Sequence, residues 1–227
     1  MTDHPGGESL DRQLRALSFF SELEDQVIHD LAQGALWRTY SAGEVIFLEG
    51  EQSRGLHYLQ SGWLKITKFS PDGREQVLQF LGPGETFHVI GVFANRPNPA
   101  TAIALEPVGL WILRREDVMA LLEKHPQLAR HVIERMAGRV LELVGLVEDL
   151  SLRSVTARLA RLLVEDARDN ALHRPRWYTQ AEIAARLGTV PDVLQRALSS
   201  LADDGLIDVE RSIIHIRDRE ALEAMAI

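Results

Sequence analysis

The chain has 227 residues, of which 45% are apolar, and it contains no cysteine. A chain of this length holds one large domain or two smaller ones, and the apolar fraction is ordinary for a water-soluble globular protein. The absence of thiols excludes disulfides, thiolate nucleophiles, zinc–thiolate sites and cysteine-ligated iron–sulfur clusters. The net charge of −8 argues against nonspecific binding of polyanions but allows a local DNA-reading face.

No apolar stretch is long enough to span a bilayer, and residues 1–8 lack the basic and then apolar pattern of a signal peptide. We therefore expect a cytoplasmic protein without a membrane partner. Residues 1–10 are polar and are predicted to be disordered. A short helix that includes Leu14, Leu17, Phe19 and Phe20 is expected next, followed by a second helix from Glu24 to Leu31.

Short runs with strand character, separated by glycine or proline, extend from Leu36 to Leu113. They predict about eight strands, at Trp37–Tyr40, Glu44–Leu48, Gly55–Leu59, Trp63–Phe69, Glu75–Phe80, Thr86–Val89, Thr101–Ala104 and Val108–Leu113. Strands at this regular spacing favour a β-sandwich or jelly roll. A short helix is then predicted over Arg115–Leu122, and Pro126 separates it from the next element.

A long helix is predicted from Gln127 to Leu150, because apolar residues recur in alternating steps of four and three. These seam positions are Ala129, Ile133, Met136, Val140, Leu143, Val147 and Leu150. The steps form the a/d pattern of a coiled coil, and β-branched residues at a with Leu and Met at d favour two parallel strands. The narrow stripe predicts a homodimer joined along this helix. The alternative is an amphipathic helix buried within its own monomer.

Residues 179–206 predict two short helices joined by a tight turn. The sequence Thr179-Gln180-Ala181-Glu182 matches a capping box at the start of the first helix. Gly188 suits the end of that helix, and Pro191 suits the first position of the second. A hairpin predicted over Ile207–Ile216 would form a wing. This arrangement indicates a winged helix-turn-helix domain, whose second helix enters the major groove of DNA.

The polar residues on the outer side of the second helix have the chemistry needed to read base edges. Arg196 suits O6 and N7 of guanine, Gln195 suits N6 and N7 of adenine, and Asp192 can accept from N4 of cytosine. At the start of the first helix, Thr179 and Gln180 can hold a phosphate. The predicted DNA-binding residues are therefore Thr179, Gln180, Pro191, Asp192, Gln195, Arg196 and Ser199. The alternative is a structural helical hairpin with solvated polar residues.

The segments between these elements complete the predicted α+β architecture. Ser151–Ser154 forms a junction, Val155–Arg168 forms a helix, and the polar stretch Asp169–Arg176 forms a loop. We expect a jelly-roll domain (the roll) at residues 1–126, which the resemblance described next assigns to effector sensing, a dimerisation helix at residues 127–150 and the winged helix-turn-helix domain at residues 151–227. Residues 155–227 are slightly acidic overall, so DNA binding there must depend on a few placed contacts in a dimer.

The order of roll, long helix and winged helix resembles the Crp/Fnr family of bacterial transcription regulators. The residues that carry the resemblance are Gly50-Glu51, Tyr58–Gly62, Gly84-Glu85, Gly91–Phe93 and Thr179–Leu206. The resemblance implies a homodimer that binds a palindromic operator in double-stranded DNA, contacts RNA polymerase and responds to a small-molecule effector. It also implies that Asp192, Gln195 and Arg196 read bases and that Leu150–Ser154 is the hinge.

The resemblance also bears on the effector. The family holds cyclic AMP with a Gly-Glu pair, an Arg-Ser pair and polar residues on the dimer helix. The matching residues here are His88-Val89, Pro99-Ala100 and Leu143-Val144, with Arg139 retained. Without the phosphate-binding arginine, a nucleotide phosphate would be buried unpaired, at a cost of several kcal/mol. We therefore expect an effector other than cyclic AMP, in an apolar pocket formed by Phe87, His88, Val89, Arg139 and Leu143.

His88 is the most specific candidate in that pocket. It falls where the carbon-monoxide-sensing heme relative carries an axial ligand, although that relative has cysteine there, and imidazole is a competent ligand of heme iron. The alternative is a polar residue at the contact between the roll and the helix, with no metal. Two further hypotheses are a constitutive regulator with an empty pocket and a cupin-like metalloenzyme carrying an interaction module. The roll has only His57 and His88, with no His-x-His pair, which disfavours the metalloenzyme.

Overall fold

The structure is a computed structural model that describes residues 10–17, 20, 23–52, 55–87 and 89–226, without the side chains of residues 89 and 90. The prediction of disorder at the N-terminus falls almost entirely on residues outside these ranges. The same is true of Phe19 in the first predicted helix and of the heme-ligand candidate His88.

The elements follow the predicted order, but the first helix ends before Leu17 and Phe20, and a C-terminal helix is present that was not predicted. Two further exceptions are described below. The helices are α1 (Leu10–Ala16), α2 (Asp25–Gln33), α3 (Val89–Ala94), α4 (Arg115–Lys124), α5 (Pro126–Leu152), α6 (Val155–Asp166), α7 (Gln180–Arg186), α8 (Pro191–Asp203) and α9 (Arg219–Met225). The strands are β1 (Leu36–Tyr40), β2 (Val45–Phe47), β3 (Gly55–Ser61), β4 (Leu64–Phe69), β5 (Glu75–Leu81), β6 (Thr86–Phe87), β7 (Thr101–Ala104), β8 (Val108–Arg114), β9 (Ala171–His173), β10 (Ile207–Val209) and β11 (Ile213–Ile216).

The first exception is α3, which begins where the sequence predicts the end of a strand. Strand β6 stops at Phe87, and helix α3 starts at Val89. A short apolar run fits a buried strand and a buried helical segment equally well, so periodicity cannot separate them. The packing decides, because Val92 is fully buried in the core that covers the outer face of the first sheet.

The second exception is β9, which lies inside the predicted loop Asp169–Arg176. Asp169 and Asn170 take positive φ angles of 50° and 56°, which reverse the chain before the strand. Asn and Asp tolerate this conformation better than most residues. The strand then pairs with β11, with Leu172 opposite Ile214. Only Leu172 is buried in this short strand, so the sequence carries almost no strand signal.

The chain forms two compact units. One comprises Met1–Lys68 with Gln79–Val140, and the other comprises Phe69–Leu78 with Leu141–Ile227. The division falls within α5, so this helix contributes residues to both units. The three-part division at residues 126 and 150 therefore stays a prediction. Among the described residues, no helix is both long and apolar enough to cross a bilayer.

The β-roll contains two four-stranded antiparallel sheets, ordered β1-β8-β3-β6 and β2-β7-β4-β5. Both sheets contribute to an apolar core that includes Leu59, Leu64 and Leu110. On its other face, the first sheet packs against α1, α2, α4 and the start of α5 in a second core. Strands β3 and β8 are thus covered on both faces, which explains why they are apolar along most of their length rather than alternating.

The winged helix in the second unit is built around α6. This helix packs against α8 and α9, and α7 packs against α8. Leu159, Leu163, Leu194 and Leu198 are almost fully buried and form the centre of this packing. Strands β10, β11 and β9 form a three-stranded sheet, and the β10–β11 hairpin confirms the predicted wing.

Candidate nucleic-acid interface

The first helix of the motif, α7, begins at the predicted cap. The Thr179 hydroxyl accepts a hydrogen bond from the backbone N–H of Glu182 at 3.3 Å, which is half of a capping box. The backbone N–H of Thr179 donates to the Trp177 carbonyl at 2.9 Å. The cap fixes where α7 starts, and the burial of Ile183 and Ala184 fixes which side of the helix faces α8 and the core.

The turn between α7 and α8 requires glycine for two reasons. Gly188 has a φ of +63°, which side chains with a Cβ rarely adopt. A Cβ at this position would also lie 2.5 Å from Leu150 Cδ2 and 2.6 Å from Gln76 Oε1. The Gln76 side chain is held there because its amide donates to the Arg186 carbonyl at 3.1 Å. Tertiary crowding therefore adds to the conformational requirement that the sequence shows.

The second helix, α8, has one apolar face and one polar face. Pro191 occupies its first turn, as the sequence predicts. The buried residues are Leu194, Ala197, Leu198 and Leu201, while Val193 is only half-buried. The exposed residues include the predicted readers Asp192, Gln195, Arg196 and Ser199. The predicted helix faces are therefore present in the folded chain.

Several of the predicted DNA-binding side chains touch one another. The Gln180 amide nitrogen donates to Gln195 Oε1 at 2.9 Å, which links the start of α7 to the middle of α8. Gln195 Nε2 lies 3.5 Å from Ser199 Oγ. Arg196 Nε lies 3.4 Å from the Asp192 carbonyl, one turn earlier on its own helix. The structure thus joins Gln180, expected to hold a phosphate, to a residue expected to read a base.

A charged cluster beneath α7 is absent from the sequence prediction. The Arg186 guanidinium forms a two-point ion pair with Asp166 at the end of α6 and donates to the Tyr178 hydroxyl at 2.9 Å. Burial disfavours the charge on Arg186, but Tyr178 and Asp166 outweigh this effect and raise the pKa of the guanidinium above its usual value. Burial also raises the pKa of Tyr178. No local spacing pattern could have predicted a cluster between such distant positions.

The junction between α5 and α6 contains fewer residues than predicted. Helix α5 continues past Leu150 to Leu152, and Ser154 caps α6 by accepting from the Ala157 N–H at 3.2 Å. Arg153 forms ion pairs with Asp149 at 2.5 Å and with Glu148 at 2.9 Å. Arg161 of α6 also reaches Asp149, at 3.1 Å. The chain therefore leaves the helical conformation only at Arg153 and Ser154, and ion pairs connect the end of α5 to α6 across this break.

The predicted seam of α5 is exposed from Ile133 onwards, and only its first position, Ala129, is half-buried. Ile133 and Val140 retain 66% and 58% of their accessible surface in the first unit, and Val147 retains 63% in the second. Met136, Leu143 and Leu150 are also exposed. Leu128 and Val132, which lie off the seam, are the residues of α5 that enter the core of the first unit. The alternative of a seam buried within its own monomer is therefore wrong.

The predicted effector pocket is only partly described. Phe87 is buried and stacks on His57, with ring centroids 5.0 Å apart. His88 and the side chain of Val89 lie outside the description. Arg139 is half-buried and Leu143 is exposed. In the first unit α5 contacts the roll through Arg135, which donates to the Thr86 carbonyl at 3.0 Å. The pocket as a whole therefore stays a prediction.

A cavity of about 350 Å³ lies elsewhere in the roll, beside β1 and β2. Its lining includes Tyr40, Phe47 and the buried His57. His57 has no predicted role, since a single histidine has no ligand-like spacing. Within the described part of the chain, no three His, Asp or Glu side chains are grouped so that they could hold a metal ion.

A β-roll, a long helix with an exposed apolar stripe and a winged helix with one polar face together define a class of bacterial transcription regulators. Residues 37–125 match the family model described as a cyclic nucleotide-binding domain, and residues 157–225 match that of a Crp-like helix-turn-helix domain. Together these two matches cover more than half of the chain. The chain belongs to the Crp/Fnr family of transcription regulators, as the sequence resemblance predicts.

Individual relatives agree with this assignment. The chain is 29% identical to the cyclic AMP receptor protein of Thermus thermophilus, over 83% of this chain and 87% of that protein. It is 26% identical to the CRP-like cAMP-activated global transcriptional regulator of Mycobacterium tuberculosis, over 96% of this chain and 100% of that protein. Its fold matches that of FixK2 from Bradyrhizobium japonicum with a TM-score of 0.74 at 22% identity, covering 85% and 98% of the two chains. The family is one of transcription regulators rather than enzymes, which argues against the cupin-like metalloenzyme.

Proposed function

We propose that this protein is a dimeric regulator that binds a palindromic operator under the control of a small molecule. The observation that carries the proposal is the division of α8 into a buried apolar face and an exposed face with Asp192, Gln195, Arg196 and Ser199. Such a helix, set against α7 by a tight turn, can enter the major groove and bring these side chains to base edges.

Dimerisation is supported by the exposed seam. Large apolar side chains in a regular stripe, such as Ile133, Val140 and Val147, are stabilised when a partner helix removes them from water. Pairing of two copies along α5 would provide two recognition helices, as a two-fold symmetric operator requires. The slightly acidic winged helix makes this doubling important, because a single copy brings few cations to the phosphates.

Effector control is supported by the position of α5, which runs from a contact with the roll to the junction before α6. This helix contacts the roll through Arg135 and Thr86 and then leads to the ion-paired junction at Arg153. An effector that favours one arrangement of these contacts would shift the population of binding-competent dimers. The relatives named above include cyclic-AMP regulators, but the chain carries Pro99 and Ala100 where the family binds phosphate. We therefore propose an apolar effector, with heme as one candidate, and RNA polymerase as a further partner.

A selection experiment tests DNA binding. The full-length protein would be incubated with a randomised palindromic duplex library, with and without heme or cyclic AMP, and the bound DNA sequenced. We expect one symmetric sequence to be enriched, and Arg196→Ala to weaken binding to it by at least tenfold in fluorescence anisotropy, since a well-placed arginine–guanine pair contributes about 1–3 kcal/mol. Failure to enrich any symmetric sequence under all conditions would contradict the proposal.

Analytical ultracentrifugation tests the dimer. Val140→Asp places a charge in the seam and should raise the dimer dissociation constant at least tenfold, because the carboxylate would have to be buried between helices. Leu141→Asp is the matched control, since Leu141 is 72% exposed but lies outside the seam. Equal dissociation by both variants, or a wild-type protein that sediments as a monomer at micromolar concentration, would argue against pairing along this stripe.

A further inference from the structure

The hydrogen bond between Gln180 and Gln195 joins the two helices of the motif on their exposed side. Gln180 is the first residue of α7, and its amide nitrogen donates to Gln195 Oε1 at 2.9 Å. Gln195 Nε2 in turn lies 3.5 Å from Ser199 Oγ, one turn further along α8. These contacts hold a long and otherwise flexible side chain at two points.

The two contacts leave Gln195 with a defined capacity for further bonds. A carboxamide has two N–H donors and a carbonyl with two acceptor sites. One acceptor site is used by Gln180, and one N–H is directed at Ser199. One donor and one acceptor remain for a ligand. A donor and an acceptor on one edge of an amide form the pattern that pairs with N7 and N6 of adenine in the major groove.

Fixing this amide before DNA arrives has an energetic consequence. A glutamine side chain loses considerable rotamer freedom when it is immobilised, and this loss weakens binding. If the folded protein already orders Gln195, less freedom remains to be lost on the operator. Fixation by Gln180 also determines which edge of the amide points outward, so a base with the wrong donor and acceptor pattern meets an amide that cannot turn easily.

We propose that Gln180 is a positioning residue that determines base specificity through Gln195, so that adenine preference at one operator position depends on both helices of the motif. The inference rests on the proposed DNA-binding function and assigns Gln180 a role other than the phosphate contact expected from its place at a helix start. A phosphate contact would strengthen binding to all sequences alike. A positioning role strengthens binding only where the base matches Gln195.

The test uses the full-length protein and the operator obtained by selection. The operator position that depends on Gln195 is the one whose preference is lost in Gln195→Ala. Dissociation constants are then measured for the selected operator and for one with that base pair changed to G·C in both half-sites. Their ratio is the discrimination at this position. We expect Gln180→Ala to lower the ratio about threefold to tenfold, as loss of one hydrogen bond allows, and to leave binding to the changed operator within twofold.

Two controls separate positioning from other roles. In the Gln195→Ala background, Gln180→Ala should change neither dissociation constant, because the residue through which it acts is gone. Gln127→Ala removes an exposed glutamine near the start of a different helix, in the first unit, and should leave the ratio unchanged. A Gln180→Ala variant that weakens binding to both operators equally would show a phosphate contact and overturn the inference.

A measurement without DNA tests the bond itself. In the NMR spectrum of the full-length protein, the side-chain amide signals of Gln195 should shift in Gln180→Ala and remain in place in Gln127→Ala. Unchanged Gln195 signals would overturn the inference even if the operator is bound well. If the wild-type protein shows no sequence preference at all, the proposed function fails and the inference fails with it. If the wild-type protein shows a sequence preference but Gln180→Ala leaves the discrimination ratio unaltered, the inference is overturned and the proposed function stands.

Discussion

The roll and the winged helix differ in where their polar chemistry lies. The core between the two sheets of the roll is mainly apolar, and His57 is buried against Phe87 beside the cavity. The winged helix instead presents its polar groups on the outside of α8, above an apolar inner face. Helix periodicity alone can therefore locate a polar helix face such as that of α8, whereas the polar groups that meet inside the roll depend on which strands the fold brings together.

The largest expected effects test whether the two regions have separate cores. Leu110 in the roll and Leu159 in the winged helix are both fully buried. Replacing either with alanine should lower the free energy of unfolding by about 2–5 kcal/mol, through lost burial and an unfilled cavity. Calorimetry should show Leu110→Ala shifting one unfolding transition and Leu159→Ala shifting another. A single transition that both variants shift equally would show that the two regions unfold as one.

The next largest effects are expected from replacing one glycine in the roll and one in the winged helix. Gly62 in the roll has a φ of +83°, and a Cβ there would lie 2.3 Å from the Pro107 carbonyl oxygen, which is backbone and cannot easily move. At Gly188 in the winged helix, the obstructing atoms belong to the side chains of Leu150 and Gln76. We expect Gly62→Ala to cost about 2–4 kcal/mol and Gly188→Ala about 1–3 kcal/mol, measured by urea unfolding.

Gly205 provides the control for both substitutions. It also has a positive φ, of +72°, but a Cβ there would meet nothing within 4 Å. Gly205→Ala should therefore cost only the conformational term of about 1 kcal/mol. If all three variants lose the same stability, crowding contributes nothing, and the distinction between backbone and side-chain obstruction is wrong.

The smallest effect concerns the cluster beneath α7. Tyr178→Phe removes the hydroxyl that accepts from Arg186 and should cost about 1 kcal/mol at neutral pH. Burial raises the pKa of Tyr178, so the folded state retains this proton at a pH where the unfolded chain loses it. The wild-type protein should therefore lose stability as the pH rises above about 10, the usual pKa of tyrosine. The Tyr178→Phe variant has no hydroxyl to titrate and should not lose this stability. The melting temperatures of the wild-type protein and of the variant should therefore converge as the pH rises.

A constant difference between the wild-type and Tyr178→Phe melting temperatures, from neutral pH to about pH 11, would contradict that linkage. Asp166→Asn, which removes the other partner of Arg186, should destabilise the winged helix by more than Tyr178→Phe. The reason is that it leaves a half-buried guanidinium without its counter-charge.

Sequence patterns predicted much of the fold and, within the candidate site, the exposed face of α8. The spacing of glycine and proline located the strands of the roll, and apolar residues recurring in steps of four and three located the exposed seam of α5. Periodicity also placed Asp192, Gln195 and Arg196 on the exposed side of α8. The strand assigned up to Val89 and the loop assigned over Asp169–Arg176 were wrong, because short segments take their structure from the surfaces that cover or pair with them.

The sequence by itself determined the class of this protein, because a capped helix, a tight turn and a second amphipathic helix are encoded by neighbouring residues whose local energies agree. Only the tertiary structure decided which distant groups meet. It paired Arg186 with Asp166, held Gln76 against the turn at Gly188 and joined Gln180 to Gln195. Contacts of this kind depend on the packing of whole helices against one another, and no spacing along the chain records that packing.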